Sequence, residues 1–189
     1  MTRIIAGFAG SIALTVPGSG TRPTSDRVRE AIFSALDSRD AIAGMRVLDL
    51  YSGSGALGLE AASRGAAHVT LVDRSAAASR ENATRVLRQA PAGSRPTIVT
   101  SGQAVQPFLE SAREFWDLAL LDPPYELGNA ELTAALGALV PRLSPSAVVV
   151  VERSSRTPEP DWPDGVELDR RKDYGDTALY WLSAGPIPT

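Results

Sequence analysis

Between Met45 and Val151 short apolar, β-branched runs alternate with longer stretches of helical periodicity, and few folds accommodate such a pattern. Met45-Arg46-Val47-Leu48-Asp49-Leu50 reads as a strand and 55–63 as a helix. The pairs 67–72 and 75–90, 95–100 and 103–112, and 115–121 and 129–140 repeat the unit, and Ala147-Val148-Val149-Val150-Val151 ends the series. Strands without in-and-out alternation are buried on both faces. The pattern therefore predicts an α/β architecture, a parallel sheet covered by helices on each side. A Pro-rich loop at 154–165 follows, then two strands at about 166–172 and 177–182 around Asp173-Tyr174-Gly175-Asp176. That turn is hairpin chemistry, so the sheet is expected to close with an antiparallel strand.

Ahead of the alternation, apolar segments at 3–6 and 12–16 around Gly7 and Gly10 read as a hairpin. Then Arg22-Pro23-Thr24-Ser25-Asp26 opens a helix capped by Thr24 or Ser25, with Val28, Ala31, Ile32, Ala35 and Leu36 at helical spacing. This divides the chain into an extension at 1–22, a main domain at 23–183 and a loose tail at 184–189.

Composition narrows the chemistry. There is no cysteine and one histidine, His68, which excludes disulfides, thiolate metal sites and a histidine-based triad or metal cluster. His68 itself reads as a partly exposed residue at a strand start. No apolar run approaches a membrane helix, and the interrupted apolar start does not make a signal peptide, so a cytoplasmic protein is expected. Nothing in the sequence calls for more than a monomer. The net charge of −3 gives no global attraction for nucleic acid, yet residues 1–36 carry Arg3, Arg22, Arg27 and Arg29 against Asp26 and Glu30. These arginines, with Thr24 beside them, are candidate phosphate contacts; the alternative is a solvated face. Of 19 basic residues 18 are arginine, which either suits phosphate and guanine edges or reflects genome composition.

Two stretches carry the chemistry. The first is Asp49-Leu50-Tyr51-Ser52-Gly53-Ser54-Gly55-Ala56-Leu57-Gly58, where a strand turns into a helix with G-x-G-x-x-G spacing. Asp73, with Arg74 after it, lies 20 residues beyond Gly53 at the next strand end, where a carboxylate accepts from ribose hydroxyls. Asp49 separates the possible nucleoside ligands. It would repel the pyrophosphate of NAD, whereas S-adenosylmethionine brings a cationic ammonium and sulfonium, and a carboxylate suited to a helix N-terminus. Gln103 and the backbone of Ala104, after the third strand, are candidate readers of the adenine edge.

The second stretch is Asp122-Pro123-Pro124-Tyr125 at the end of an apolar strand. Two prolines make a stiff, non-helical step. The Asp122 carboxylate and the Pro123 carbonyl are two acceptors that can face one spot, with the Tyr125 ring beside them. That set suits a planar molecule bearing an exocyclic amino group. Glu152 ends another strand near the same crevice, either orienting substrate or pairing with Arg153 or Arg156. Tyr174, at the late turn, is expected to pack on its own strands.

These residues resemble the class I S-adenosylmethionine-dependent methyltransferases, and more closely the RsmD family of rRNA guanine-N2 methyltransferases. The likeness spans the Arg-Ile-Ile-Ala-Gly start, Arg22-Pro23-Thr24-x-x-Arg27-x-Arg29-Glu30-Ala31-x-Phe33, the glycine loop through Leu59-Glu60-Ala61, Asp122-Pro123-Pro124-Tyr125, and Tyr174-Gly175-Asp176-Thr177. The resemblance implies a Rossmann-like, seven-stranded sheet with an added N-terminal hairpin that contacts RNA. It implies S-adenosylmethionine as cofactor and transfer to the exocyclic N2 of guanine 966 in 16S rRNA of the small ribosomal subunit. Gln103 departs from the acid or asparagine common at its position. The acidic net charge suggests that the substrate is an assembled or assembling 30S particle. The competing readings are an N6-adenine DNA methyltransferase, for which the chain leaves little room for a target-recognition domain, and a non-catalytic RNA-binding or ribosome-assembly module.

Overall fold

The computed structural model describes residues 2–18 and 25–185. Its elements are α1 (Asp26–Asp37), β1 (Arg46–Leu50), α2 (Ala56–Ser63), β2 (His68–Val72), α3 (Ala77–Leu87), β3 (Thr97–Ser101), α4 (Val105–Ser111), β4 (Trp116–Leu121), α5 (Asn129–Leu139), β5 (Leu143–Ser154), β6 (Val166–Tyr174) and β7 (Thr177–Ala184), with a short 3-10 turn after α5. They form one seven-stranded sheet in the order β3-β2-β1-β4-β5-β7-β6. The strands from β1 to β5 pair in parallel, and β7 runs antiparallel to both β5 and β6. The expected α/β sheet with its reversed strand is what forms.

The inner parallel strands β1, β2 and β4 bury both faces, which explains their largely apolar sequence, while the edge strands β3 and β6 are partly exposed. Val47, Leu118, Leu120 and Val150 face α1, α2 and α3, while Leu48, Ala119, Leu121 and Val149 face α4 and α5. Trp116 starts β4 fully buried, with the Phe108 ring 6.0 Å away. β5 is longer than its valines suggested. Pro145 lies inside it, tolerated where the pairing with β4 shifts register between Trp116 and Leu118. No helix among the described residues is long and apolar enough to cross a membrane.

The first residues make a narrow loop closed by one antiparallel bridge, Arg3 with Ala13, and by Ile4 N–H donating to the Ile12 carbonyl. Its own ladder is slight, and helix side chains hold it. The buried Glu60 carboxylate accepts from Ile5 N–H (2.6 Å) and Ala6 N–H (3.0 Å). Ser63 Oγ donates to the Ala6 carbonyl and accepts from Ala9 N–H. Ile4, Ala9 and Leu14 complete the core on this face. Gly7 is required there: its φ is +80°, and an added Cβ would stand 1.9 Å from the Ser63 carbonyl oxygen. Gly7→Ala is expected to destabilise the fold by about 2–3 kcal/mol, lowering Tm by about 5–10 °C in thermal unfolding.

Ser25 caps α1, its hydroxyl accepting from Val28 N–H at 3.2 Å. Of the expected phosphate contacts, Arg3 and Arg27 are exposed, while Arg22 and Thr24 lie outside the described residues. Arg29 needs correction. It is fully buried, pairs with Asp26 at 2.6 Å and donates to the Arg3 carbonyl at 2.8 Å, so it ties α1 to the first loop instead of reaching solvent. Its charge suggested an outer face, but the buried stripe of α1 is Val28, Arg29, Ile32, Phe33 and Leu36. At the other end, residues 186–189 lie outside the described set, while Ala184 ends β7 and Gly185 N–H donates to the Gly165 carbonyl.

Candidate active site

Parallel register aligns the strand ends. Leu50 pairs with Val72 and Leu121, and Leu121 with Val151. The next residues, Tyr51, Asp73, Asp122 and Glu152, therefore stand in a row. Chain order reverses between β1 and β4, and α/β sheets bind ligands in the crevice beyond the strand ends at such a switch point. A cavity of about 790 Å³ opens there, and all four residues line it with Asp49, Gly53, Ser54, Arg74, Ala104, Pro123, Pro124 and Tyr125. The two stretches read from the sequence thus meet in one place.

The glycine turn is built by backbone geometry. Tyr51, Gly53 and Gly55 all have positive φ, and Gly55 N–H donates to the Ser52 carbonyl. Gly55 is buried at the start of α2 and serves the turn; it does not line the cavity. Gly58 lets α2 approach the sheet, since a Cβ would fall 2.4 Å from Leu71 Cδ2 and 3.0 Å from Asp49 Cβ. Asp49 Oδ2 accepts from Gly58 N–H at 2.8 Å, and Asp73 Oδ2 accepts from Gly53 N–H at 3.0 Å. Asp73 Oδ1 accepts from Ser75 N–H. These bonds leave carboxylate lone pairs for a ligand.

The charge of the cavity is one-sided. Among the described residues, Asp49, Asp73, Asp122, Glu126, Glu131, Glu152 and Asp176 line it, against Arg74 as the one basic residue. Burial pushes the Asp49 carboxyl up to about 8, and the nearby Asp122 and Asp73 charges add to the rise, while the Gly58 hydrogen bond opposes it. A cation in the cavity would restore the ionised form. A pyrophosphate would meet repulsion on nearly every side. The donor set therefore fits a nucleoside with a cationic tail. Asp73 suits a ribose diol, the Gly53–Ser54 turn before α2 suits a carboxylate, Asp49 suits an ammonium or sulfonium, and Ala104, Val105 and Pro107 give an apolar wall.

The expectation that Gln103 reads a ligand edge fails. Gln103 is exposed and does not line the cavity; Ala104 and Gln106 do. The chain turns at Gly102, and Gln103, the second residue past β3, lies on the exposed side. Beyond Asp122, Pro123 is buried, Tyr125 is 52% exposed, and Leu127 N–H closes a turn on the Pro124 carbonyl. Arg153 holds that turn from below, donating to the Leu127 carbonyl at 2.6 Å, and Arg156 pairs with Asp176. Tyr174 is half-buried against its own strands, as expected, and also lines the cavity.

Sequence reasoning missed Asn82. This fully buried residue of α3 donates to the Ser54 and Thr15 carbonyls and accepts from Thr15 N–H, joining the glycine turn to the first loop. Thr2, Val16 and Pro17 of that loop are also cavity wall. A polar residue on an amphipathic helix gives no local sign of such contacts.

Comparison with known proteins accords with this geometry. The family model described as Conserved hypothetical protein 95 matches residues 2–183. The chain is 35% identical over 177 residues to Ribosomal RNA small subunit methyltransferase D of Escherichia coli, covering 93% of this chain and 86% of that protein. It is 31% identical to the protein of the same name from Haemophilus influenzae over 82% of this chain and 80% of that one. Among solved structures, yhhF from Escherichia coli superposes with a TM-score of 0.78 at 33% identity, over 96% of this chain and 97% of that one. Magnesium protoporphyrin IX methyltransferase from Synechocystis shares the fold at 15% identity (TM-score 0.64, 88% and 87% covered). The chain belongs to the Conserved hypothetical protein 95 family, the RsmD family of methyltransferases.

Proposed function

We propose that this methyltransferase moves a methyl group from S-adenosylmethionine to the exocyclic N2 of guanine 966 in 16S rRNA, within an assembled or assembling small subunit in the cytoplasm. The observation that carries the reading is the Asp122-Pro123-Pro124-Tyr125 step opening into the same acidic cavity as the Asp49 glycine turn. The names of the relatives support rRNA as the substrate class.

Bound at the glycine turn, S-adenosylmethionine supplies a methyl group already activated by its sulfonium. The protein's task is then alignment. The nitrogen lone pair of guanine N2 is delocalised into the ring and is a poor nucleophile. The Asp122 carboxylate and the Pro123 carbonyl accept its two N–H bonds and turn the lone pair out of the base plane. The same acceptors stabilise positive charge as it grows on nitrogen, and Asp122 or a water takes the proton. The base must leave its stack to reach them. Tyr125, half-exposed at the cavity, gives the extruded base a stacking face. Arg3 and Arg27 hold phosphates, which position the RNA without specifying it.

Tyr125→Ala is expected to raise KM for RNA about 5- to 150-fold, the equivalent of roughly 1–3 kcal/mol of stacking, with affinity for S-adenosylmethionine unchanged in calorimetry. The site itself is tested by digesting small-subunit RNA after reaction and weighing the fragments. One added methyl on the fragment holding guanine 966 is the expected result. A methyl on any other fragment would refute the assigned position.

A further inference from the structure

The outer edge of the sheet carries cations that the mechanism does not use. Strand β6 has as many acidic as basic side chains, but its pleat sorts them. Arg170 pairs across with Trp181 and Lys172 with Leu179, on the face that carries α1. Arg171 lies on the other face and is paired with Asp173 at 2.9 Å. Asp169, at the register shift, accepts from the Ser183 hydroxyl at 2.9 Å, and Glu167 stands at the far end of the strand.

Arg39, just past α1, joins the first two. Its guanidinium lies 5.2 Å from the centre of the Trp181 ring, and that of Arg170 lies 5.5 Å from the same centre. The Lys172 ammonium lies 5.1 Å from the Tyr174 ring centre. All three cations are exposed, and among the described residues none has a carboxylate within ion-pairing distance. Stacking on an aromatic ring fixes each head while leaving its N–H edges to solvent.

The row has a direction. Tyr174 lines the cavity, Lys172 is two residues back along β6, and Arg170 two more. At a strand's rise each step is about 6–7 Å, comparable to the step between phosphates of an extended nucleic-acid strand. We propose that Lys172, Arg170 and Arg39 form a docking track for the single-stranded RNA flanking the target nucleotide, leading it away from the cavity mouth at Tyr174. The inference rests on the reading of the chain as an RNA methyltransferase and adds a second RNA-binding surface to Arg3 and Arg27. The occupant is RNA because a polyanion matches a row of fixed, unpaired cations, and because the row begins at the site where the base must enter.

The test measures binding of a single-stranded RNA oligonucleotide carrying the target sequence across a range of salt concentrations. The triple variant Arg39→Gln, Arg170→Gln, Lys172→Gln is set against Arg88→Gln, Arg95→Gln, Arg142→Gln. The latter removes equal charge at the opposite ends of the parallel strands. The first should weaken binding about 10- to 100-fold and flatten the salt slope by about 2, and the control should change neither. Arg39→Lys with Arg170→Lys should keep the wild-type slope, since charge is retained; this separates lost phosphate contact from lost packing on Trp181. A slope in the first variant equal to that of the wild type and the control would overturn the proposal. Methyl transfer by the wild type, read separately on the same RNA, judges the enzymatic reading and not the track.

Discussion

Replacing Asp122 with asparagine is expected to lower kcat for methyl transfer by about 10²- to 10⁴-fold, with affinity for S-adenosylmethionine changed by less than about threefold. Asparagine has nearly the same shape, so the turn closed by Leu127 N–H on the Pro124 carbonyl should persist. Its charge is gone, however, and one of its two heads becomes a donor. That donor would confront a substrate amino group that needs acceptors, and growing positive charge on nitrogen would lose its nearest anion. The loss should fall on kcat, because the interaction strengthens as the new bond forms. Calorimetry on the cofactor and single-turnover kinetics on RNA separate the two effects. A parallel collapse of cofactor affinity would place Asp122 among the cofactor's ligands instead.

Asp49→Asn should act in the opposite way. Affinity for S-adenosylmethionine is expected to fall about 10²- to 10³-fold, in keeping with loss of one partner of a buried charge pair, while the protein without cofactor becomes more stable. The sign follows from burial. Asp49 holds its proton up to about pH 8 in the folded protein, against an ordinary value of 3.8. Between those limits the unfolded chain binds fewer protons than the native one, so this group's contribution to stability falls as pH rises through the window. At pH 7 the penalty is on the order of 2–4 kcal/mol. Asparagine removes it and still accepts from Gly58 N–H through its carbonyl. The wild type should also bind cofactor more tightly as pH rises from 6 towards about 8, with proton release, because a cation selects the ionised carboxylate. Thermal unfolding and titration calorimetry at several pH values read both effects. A variant that is less stable at pH 7, or a wild-type affinity flat over that range, would remove Asp49 from this role.

Local rules carried much of the architecture into the sequence. The apolar runs marked β1, β2 and β4 within a residue or two, because parallel strands buried on both faces need largely apolar side chains, and the β-branched run of the edge strand β3 marked it as closely. Asp49, Asp73 and Asp122 were legible as one site because strand-end carboxylates in such a sheet share a crevice. What was hidden depends on contacts between distant parts of the chain. Glu60 and Asn82 look like ordinary helix-surface residues, yet each binds backbone 54 to 67 positions away. Arg29 was misread for the same reason: its partner across the fold is the carbonyl of Arg3. The cations of β6 were unreadable as a row, since strand pleat and the shift at Asp169 decide which side chains share a face.

The most direct test is transfer of labelled methyl from S-adenosylmethionine to small ribosomal subunits lacking their guanine methylation. Naked rRNA and duplex DNA run alongside, and the products are resolved as nucleosides. The expected result is label in N2-methylguanosine, with particles the better substrate and transfer by Asp122→Asn at least about 10²-fold slower. Label in N6-methyladenine, or no transfer to any of the three by protein that binds S-adenosylmethionine, would contradict it.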